Sequence, residues 1–132
     1  MVESNNQIEK YAEQSLHYLN NAAKYIDKED IGKASEFLWG SVAQAVKALA
    51  ASKGFSLKKY SKIRDFVMQL SRELDDSTIY SVYMNAYALH LNFYEMDMDM
   101  TDIRRMSEDI RKLVGKILHL IPGQNSEIEN PV

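Results

Sequence analysis

The sequence predicts an all-α fold, an antiparallel up-and-down bundle of about five helices in one domain. Three observations carry this. Apolar residues recur at steps of three and four from Ile8 to Ile121, and no strand-like alternation interrupts them. Both prolines, Pro122 and Pro131, lie near the C-terminus, so nothing before them removes an amide donor or clashes with a preceding helical turn. The breaks between periodic stretches are short and polar, which makes consecutive helices antiparallel neighbours. A chain of 132 residues fits one domain and buries roughly two thirds of its unfolded surface, enough for its own core.

The first helix spans roughly residues 5–27, with Ile8, Tyr11, Ala12, Ser15, Leu19, Ala22, Ala23 and Ile26 on one stripe. The charged break Asp27-Lys28-Glu29-Asp30 follows, and either aspartate suits the cap of the next helix. The second helix runs from Ile31 to about Lys53. Ile31, Ala34, Leu38, Ser41, Val42, Ala45 and Leu49 form its main face, widened by Trp39, Val46 and Ala50. A helix apolar over so much of its surface belongs at the centre of a bundle. Gly54 suits the left-handed position just past its end. The third helix, about residues 61–74, carries Ile63, Phe66, Val67, Leu70 and Leu74; Asp75-Asp76-Ser77-Thr78 is a turn and cap cluster.

The fourth helix spans about residues 77–95, with Ile79, Val82, Ala86, Leu89 and Phe93 on one face. Residues 96–100 read as a connector, after which Thr101 or Asp102 caps the fifth helix. Its stripe is Ile103, Met106, Ile110, Leu113, Val114, Ile117 and Ile121, and Pro122-Gly123 stops it. Residues 1–123 therefore read as one domain, and residues 124–132 as a disordered polar tail. No internal repeat is visible.

Composition narrows the function. The apolar fraction is 45% and the charged fraction 27%, both ordinary for a folded soluble protein. The net charge of −3 and pI near 5.6 argue against gripping duplex DNA by bulk charge, while leaving room for a small RNA or nucleotide site. The absence of cysteine removes disulfides, thiolate nucleophiles and Cys-based zinc sites. No apolar run approaches the roughly 18 residues of a membrane span, and the polar, acidic N-terminus is unlike a signal peptide. A cytoplasmic protein is expected. No Gly-rich phosphate loop, nucleophile elbow or zinc-protease motif occurs, and no cofactor is implied.

The chemistry-bearing residues gather on the fourth helix. His90 falls in a stripe with Tyr80, Tyr83, Tyr87 and Tyr94, spaced by three and four. An imidazole can act as general acid or base near neutral pH, and phenols beside it can hold a base or a phosphate. The same stripe equally suits amphipathic packing, rings buried and polar tips wet. Asn85 and Asn92 lie one heptad apart on the other flank; amides so placed fix register across a helix contact or bind a ligand. On the second helix Glu36, Gly40, Ala43 and Lys47 share a flank, small residues between two charges, suited to a dimer contact or to an ordinary solvated surface. Glu95, Asp97, Asp99 and Asp102 are hard oxygen donors, but they lack the spacing of a calcium loop and better suit a helix N-terminus, so no metal site is expected. His17 reads as a surface histidine, and His119 as a favourable cation in a last helical turn.

Two stretches carry a resemblance. One is Lys33-Ala34-Ser35-Glu36-Phe37-Leu38-Trp39-Gly40-Ser41-Val42-Ala43-Gln44-Ala45-Val46-Lys47-Ala48-Leu49-Ala50; the other is Leu89-His90-Leu91-Asn92-Phe93-Tyr94-Glu95. Together they resemble the archaeal PaREP family, over roughly residues 5–121, and through it HEPN-like helical bundles. Many HEPN proteins are metal-independent RNases that use an Arg-x(4–6)-His motif across a dimer interface; others bind nucleotides or partners without catalysis. The resemblance makes His90 the motif's histidine. Tyr83, Met84 and Asn85 are then the candidate arginine positions, with Met84 the counterpart, and a thioether cannot donate to a phosphate. The resemblance thus implies a homodimeric module binding a nucleotide, RNA or protein partner through His90, Tyr83, Tyr87, Tyr94, Glu95, Asn85 and Asn92. A metal-independent RNase with His90 as acid/base, or a scaffold with no small ligand, are its alternatives.

Overall fold

The structure is a computed structural model. It describes the backbone of residues 2–92 and 97–123, and the side chains of 5–91 and 97–123. Five helices follow in order: α1 (Val2–Asp27), α2 (Ile31–Ser52), α3 (Tyr60–Glu73), α4 (Ser77–Asn92) and α5 (Met100–His119). Among the described residues there is no strand, and no helix is long and apolar enough to cross a membrane.

The all-round apolar character of α2 is matched by its position, since it touches each of the other four helices. Leu38, Val42, Val46 and Leu49 are almost wholly buried along it. Each such side chain contributes roughly 1.5–3 kcal/mol through removal of apolar surface from water. Ala34, Ala45, Ala48 and Ala50 are equally buried, and their small size lets neighbouring backbones come close. The core is closed by Leu19 and Ile26 of α1, Val67 and Leu70 of α3, Ile79 and Leu89 of α4, and Ile103, Ile110 and Ile117 of α5.

Local capping chemistry sets the helix ends. Asp30, not Asp27, caps α2, accepting the Lys33 amide at 3.1 Å, after Glu29 turns the chain through a left-handed conformation (φ 58°). Gly54 ends α2 with φ 85°, a backbone region that costs a side-chain-bearing residue energy. Asp76 accepts from the Thr78 amide at 3.0 Å and the Thr78 hydroxyl at 2.6 Å, opening α4. It also pairs with Lys116 of α5.

Two sequence expectations are corrected here. Helix α5 begins at Met100 and is capped by Asp99, where Thr101 or Asp102 was expected. Asp99 accepts the Asp102 amide at 3.0 Å and Asp102 returns to the Asp99 amide at 3.2 Å, a reciprocal capping box that satisfies two otherwise orphaned donors. Leu74, expected on the α3 stripe, lies at the C-cap and is 41% exposed, because the helix stops before it can turn inward. The expected end of the fourth helix, with Phe93, and the expected tail at 124–132 lie outside the described residues.

The α1–α2 contact is close. Ser15 of α1 donates to the Ser41 carbonyl of α2 at 2.6 Å. A methyl group on Gly40 would lie 2.9 Å from Cδ2 of Tyr18, inside van der Waals contact. Gly40→Ala gains about 1 kcal/mol of helix propensity against roughly 1–3 kcal/mol of overpacking. The variant should therefore be less stable by about 1 kcal/mol in urea denaturation; a more stable variant would refute the close packing.

The Asp76–Lys116 pair gives a pH signature. Hydrogen bonds from Lys116, then from the Thr78 hydroxyl, lower the Asp76 carboxyl from its ordinary 3.8 to about 2. A lowered folded value stabilises the fold above the unfolded value and is lost as the group protonates. The contribution is thus full above about pH 4 and disappears as pH falls towards 2. Lys116→Met should flatten the stability loss across that window, followed by urea midpoints at successive pH values.

Candidate functional site

His90 is in the last turn of α4, one residue beyond the fully buried Leu89 that anchors the helix. That anchoring sets His90 against α2. Its ring stacks on Trp39 with centroids 5.6 Å apart and planes 25° apart. Its Nδ1 lies 3.3 Å from both carboxylate oxygens of Glu36. With the proton on Nδ1 the ring donates to Glu36 and presents Nε2 as an acceptor. The two side chains are 38% and 50% exposed, so the pair contributes at most about 1 kcal/mol. Its consequence is orientation: one ring face is covered by indole, and one nitrogen is committed.

Behind His90 stands an aromatic cluster from three helices. Trp39 also meets Tyr83 at 5.7 Å and Tyr87 at 5.2 Å. Tyr60, the first residue of α3, stacks on Tyr87 at 3.7 Å and 13°. Tyr83 has no exposed surface, and among the described residues its hydroxyl, though close to that of Tyr60, makes no hydrogen bond of normal geometry. The nearby Tyr60 hydroxyl donates instead to the Met84 sulfur at 3.7 Å. Burial raises the Tyr83 phenol well above its ordinary value, with the charge of Tyr60 next in effect. Burial likewise raises that of Tyr60.

In front of His90 lies a groove of about 830 Å³, lined by Tyr25, Asp30, Gly32, Lys33, Glu36, Phe37, His90 and Leu91. Tyr25 and Phe37 stack at 5.6 Å and 7°. One wall is therefore aromatic, and the other is the Glu36–His90 pair. Leu91 is 54% exposed at the edge.

The residues expected to act with His90 separate. Tyr87 is half-buried beside it. Tyr83 lies beneath it with no surface to offer a ligand. Asn85 is on the other side of α4, in a second groove of about 540 Å³ between α4 and α5. Met84, expected from the resemblance in the arginine's place, is half-buried against Tyr60. The side chain of Asn92, with Tyr94 and Glu95, lies outside the described residues. On α2, Glu36 faces His90; the close approach that Gly40 permits is taken by Tyr18 of the same chain; Lys47 is half-buried. Asp99 and Asp102 are engaged in the α5 cap. His17 is exposed and bonds Asn21 at 3.3 Å.

Helical spacing assigns Trp39 a packing role and does not mark Tyr25, Phe37, Lys33 or Tyr60 as site residues. Glu36 and Trp39 sit three apart on α2, which places them on one face. That spacing was a usable signal, but it does not say which helix the face meets.

The model of the archaeal PaREP1/PaREP8 family matches residues 10–114. The chain belongs to that family. The matched stretch contains all of α2, α3 and α4, and with them both halves of the Glu36–His90 pair in this PaREP chain. No curated protein and no solved structure matches it.

The Tyr83 hydroxyl, unbonded among the described residues, gives a test of the cluster. A buried donor without an acceptor costs about 1–3 kcal/mol. Tyr83→Phe should therefore leave stability unchanged or raise it by up to about 1 kcal/mol in thermal unfolding. A loss of stability would mean the hydroxyl is bonded.

Proposed function

We propose that this chain is a HEPN-like helical module that binds a nucleotide or RNA without cleaving it, and works as a homodimer. The observation that carries the reading is the setting of His90: held by Glu36, backed by Trp39, and facing a groove with an aromatic wall and Lys33 on its rim. Aromatic faces stack on bases and ammonium groups attract phosphate, a combination that suits single-stranded nucleic acid. Non-catalytic binding is favoured over cleavage by Met84, which stands where the RNase motif has arginine, turned against Tyr60 and unable to offset charge on a phosphate. Leu91, 54% exposed beside His90, suits coverage by a second subunit.

One observation favours a second reading, a metal-independent RNase. A carboxylate on one imidazole nitrogen, with the other free, is how a general base is oriented, and Glu36 and His90 have that relation. The two readings divide on one experiment. A mixed pool of single-stranded and structured RNA is incubated with the protein and with His90→Ala, chelator present, and both retention and cleavage are scored. Retention without cleavage, weakened several-fold in the variant, is the expected result. Chelator-resistant cleavage that vanishes in the variant would establish the RNase. Identical behaviour of the two proteins would leave a scaffold that docks other proteins.

A further inference from the structure

We propose that the α1–α2 turn beside this groove carries a phosphate subsite formed by Lys24, Lys28 and Lys33 around Tyr25, so that the ligand is a nucleotide whose phosphate sits there and whose base lies in the groove towards His90. The proposal rests on the nucleotide-binding reading above and adds to it where the phosphate goes.

The three ammonium groups converge on one ring. Their nitrogens lie 5.9, 5.5 and 5.1 Å from the centroid of Tyr25. Lys24 comes from the last turn of α1, Lys28 from the turn after it, and Lys33 from the first turn of α2. All three residues are exposed. The face of Tyr25 attracts cations, but three like charges around one ring repel one another, and a bound anion reverses that term. Asp30 caps α2 and Glu36 meets His90, and both keep their charge in the groove; Asp27 and Glu29 are exposed on the same turn, so what favours an anion is the gathering of the three nitrogens on Tyr25, not a net positive charge of the turn.

The groove joins the two halves of such a ligand. Tyr25 and Lys33 line it near the α1–α2 turn, and His90 and Leu91 line it from α4. Its volume of about 830 Å³ falls within the range of small-molecule sites, about 300–1,000 Å³. A free phosphate would use only the lysines. A phosphate carrying a base would also use the aromatic wall and the Glu36–His90 edge.

The test uses the full chain, a labelled ten-nucleotide single-stranded RNA as probe, and AMP or inorganic phosphate as competitors at matched ionic strength. The triple variant Lys24→Gln/Lys28→Gln/Lys33→Gln is compared with His90→Ala. All three lysines are exposed, so the triple variant should keep its helical circular dichroism and melting temperature. It should bind the RNA about tenfold more weakly, and the magnitude of the slope of log K against log salt should fall by about 0.7, the value for one phosphate contact in a single strand. His90→Ala should weaken binding and leave that slope unchanged. AMP should compete where equal phosphate does not. Wild-type RNA binding matched by the triple variant, with the same slope, overturns the subsite and leaves the binding reading standing. Equal competition by phosphate and AMP overturns the placement of a base in the groove. No RNA or AMP binding by the wild-type chain removes both the subsite and the reading beneath it.

Discussion

Ser15 reaches the Ser41 carbonyl at 2.6 Å, and Tyr18 lies across Gly40: α1 and α2 meet at a distance that only small residues on α2 permit. Much follows from that contact. It fixes the α1–α2 turn, which carries Lys28 and Asp30 and leads into Lys33 of α2. It also rotates α2 so that Glu36 and Trp39 face α4 while Leu38, Val42 and Leu49 face the core. Close-packed interiors transmit such a constraint, because neighbours cannot shift without opening voids or clashing.

Trp39 is where the core becomes the site. It is half-buried, touching Tyr60, Tyr83 and Tyr87 on its inner side and His90 on its outer side. The cluster ties α2, α3 and α4 together through offset and tilted ring contacts, each worth about 0.5–1.5 kcal/mol beyond the area buried. His90 thus stands on a backing built from three helices, while the Glu36–His90 contact itself is partly exposed and weak. The pair selects an orientation of the ring; the stack beneath it supplies most of the support.

Of the two faces of α4, one is aromatic and meets α2 and α3, with His90 at its end. The other carries Thr78, Ser81 and Asn85, which border the α4–α5 groove with Asp109 and Lys112. Pairing of Lys116 with Asp76 closes the end of that groove and ties α5 to the start of α4. The helix consequently keeps the histidine and the Asn85 amide on the separate flanks that their spacing implies, although the resemblance had grouped them as candidate ligand contacts.

By itself the sequence determined the helices, their order and most of their buried faces. These depend on a period of 3.6 residues and on caps within three or four positions, interactions that a stretch of chain makes with itself. The α5 start shows the limit even there: the capping-box spacing of Asp99 and Asp102 was legible, but the Met-Asp alternation before it hid the first turn. His90 was legible as a candidate, and so was Glu36, though as an interface residue. Their pairing across 54 positions was not, nor was the burial of Tyr83 under Trp39, nor the convergence of Lys24, Lys28 and Lys33 on Tyr25. Helical spacing says which residues share a face; only the rotation and approach of the packed helices, set by Gly40 and the alanines of α2, decide what each face meets.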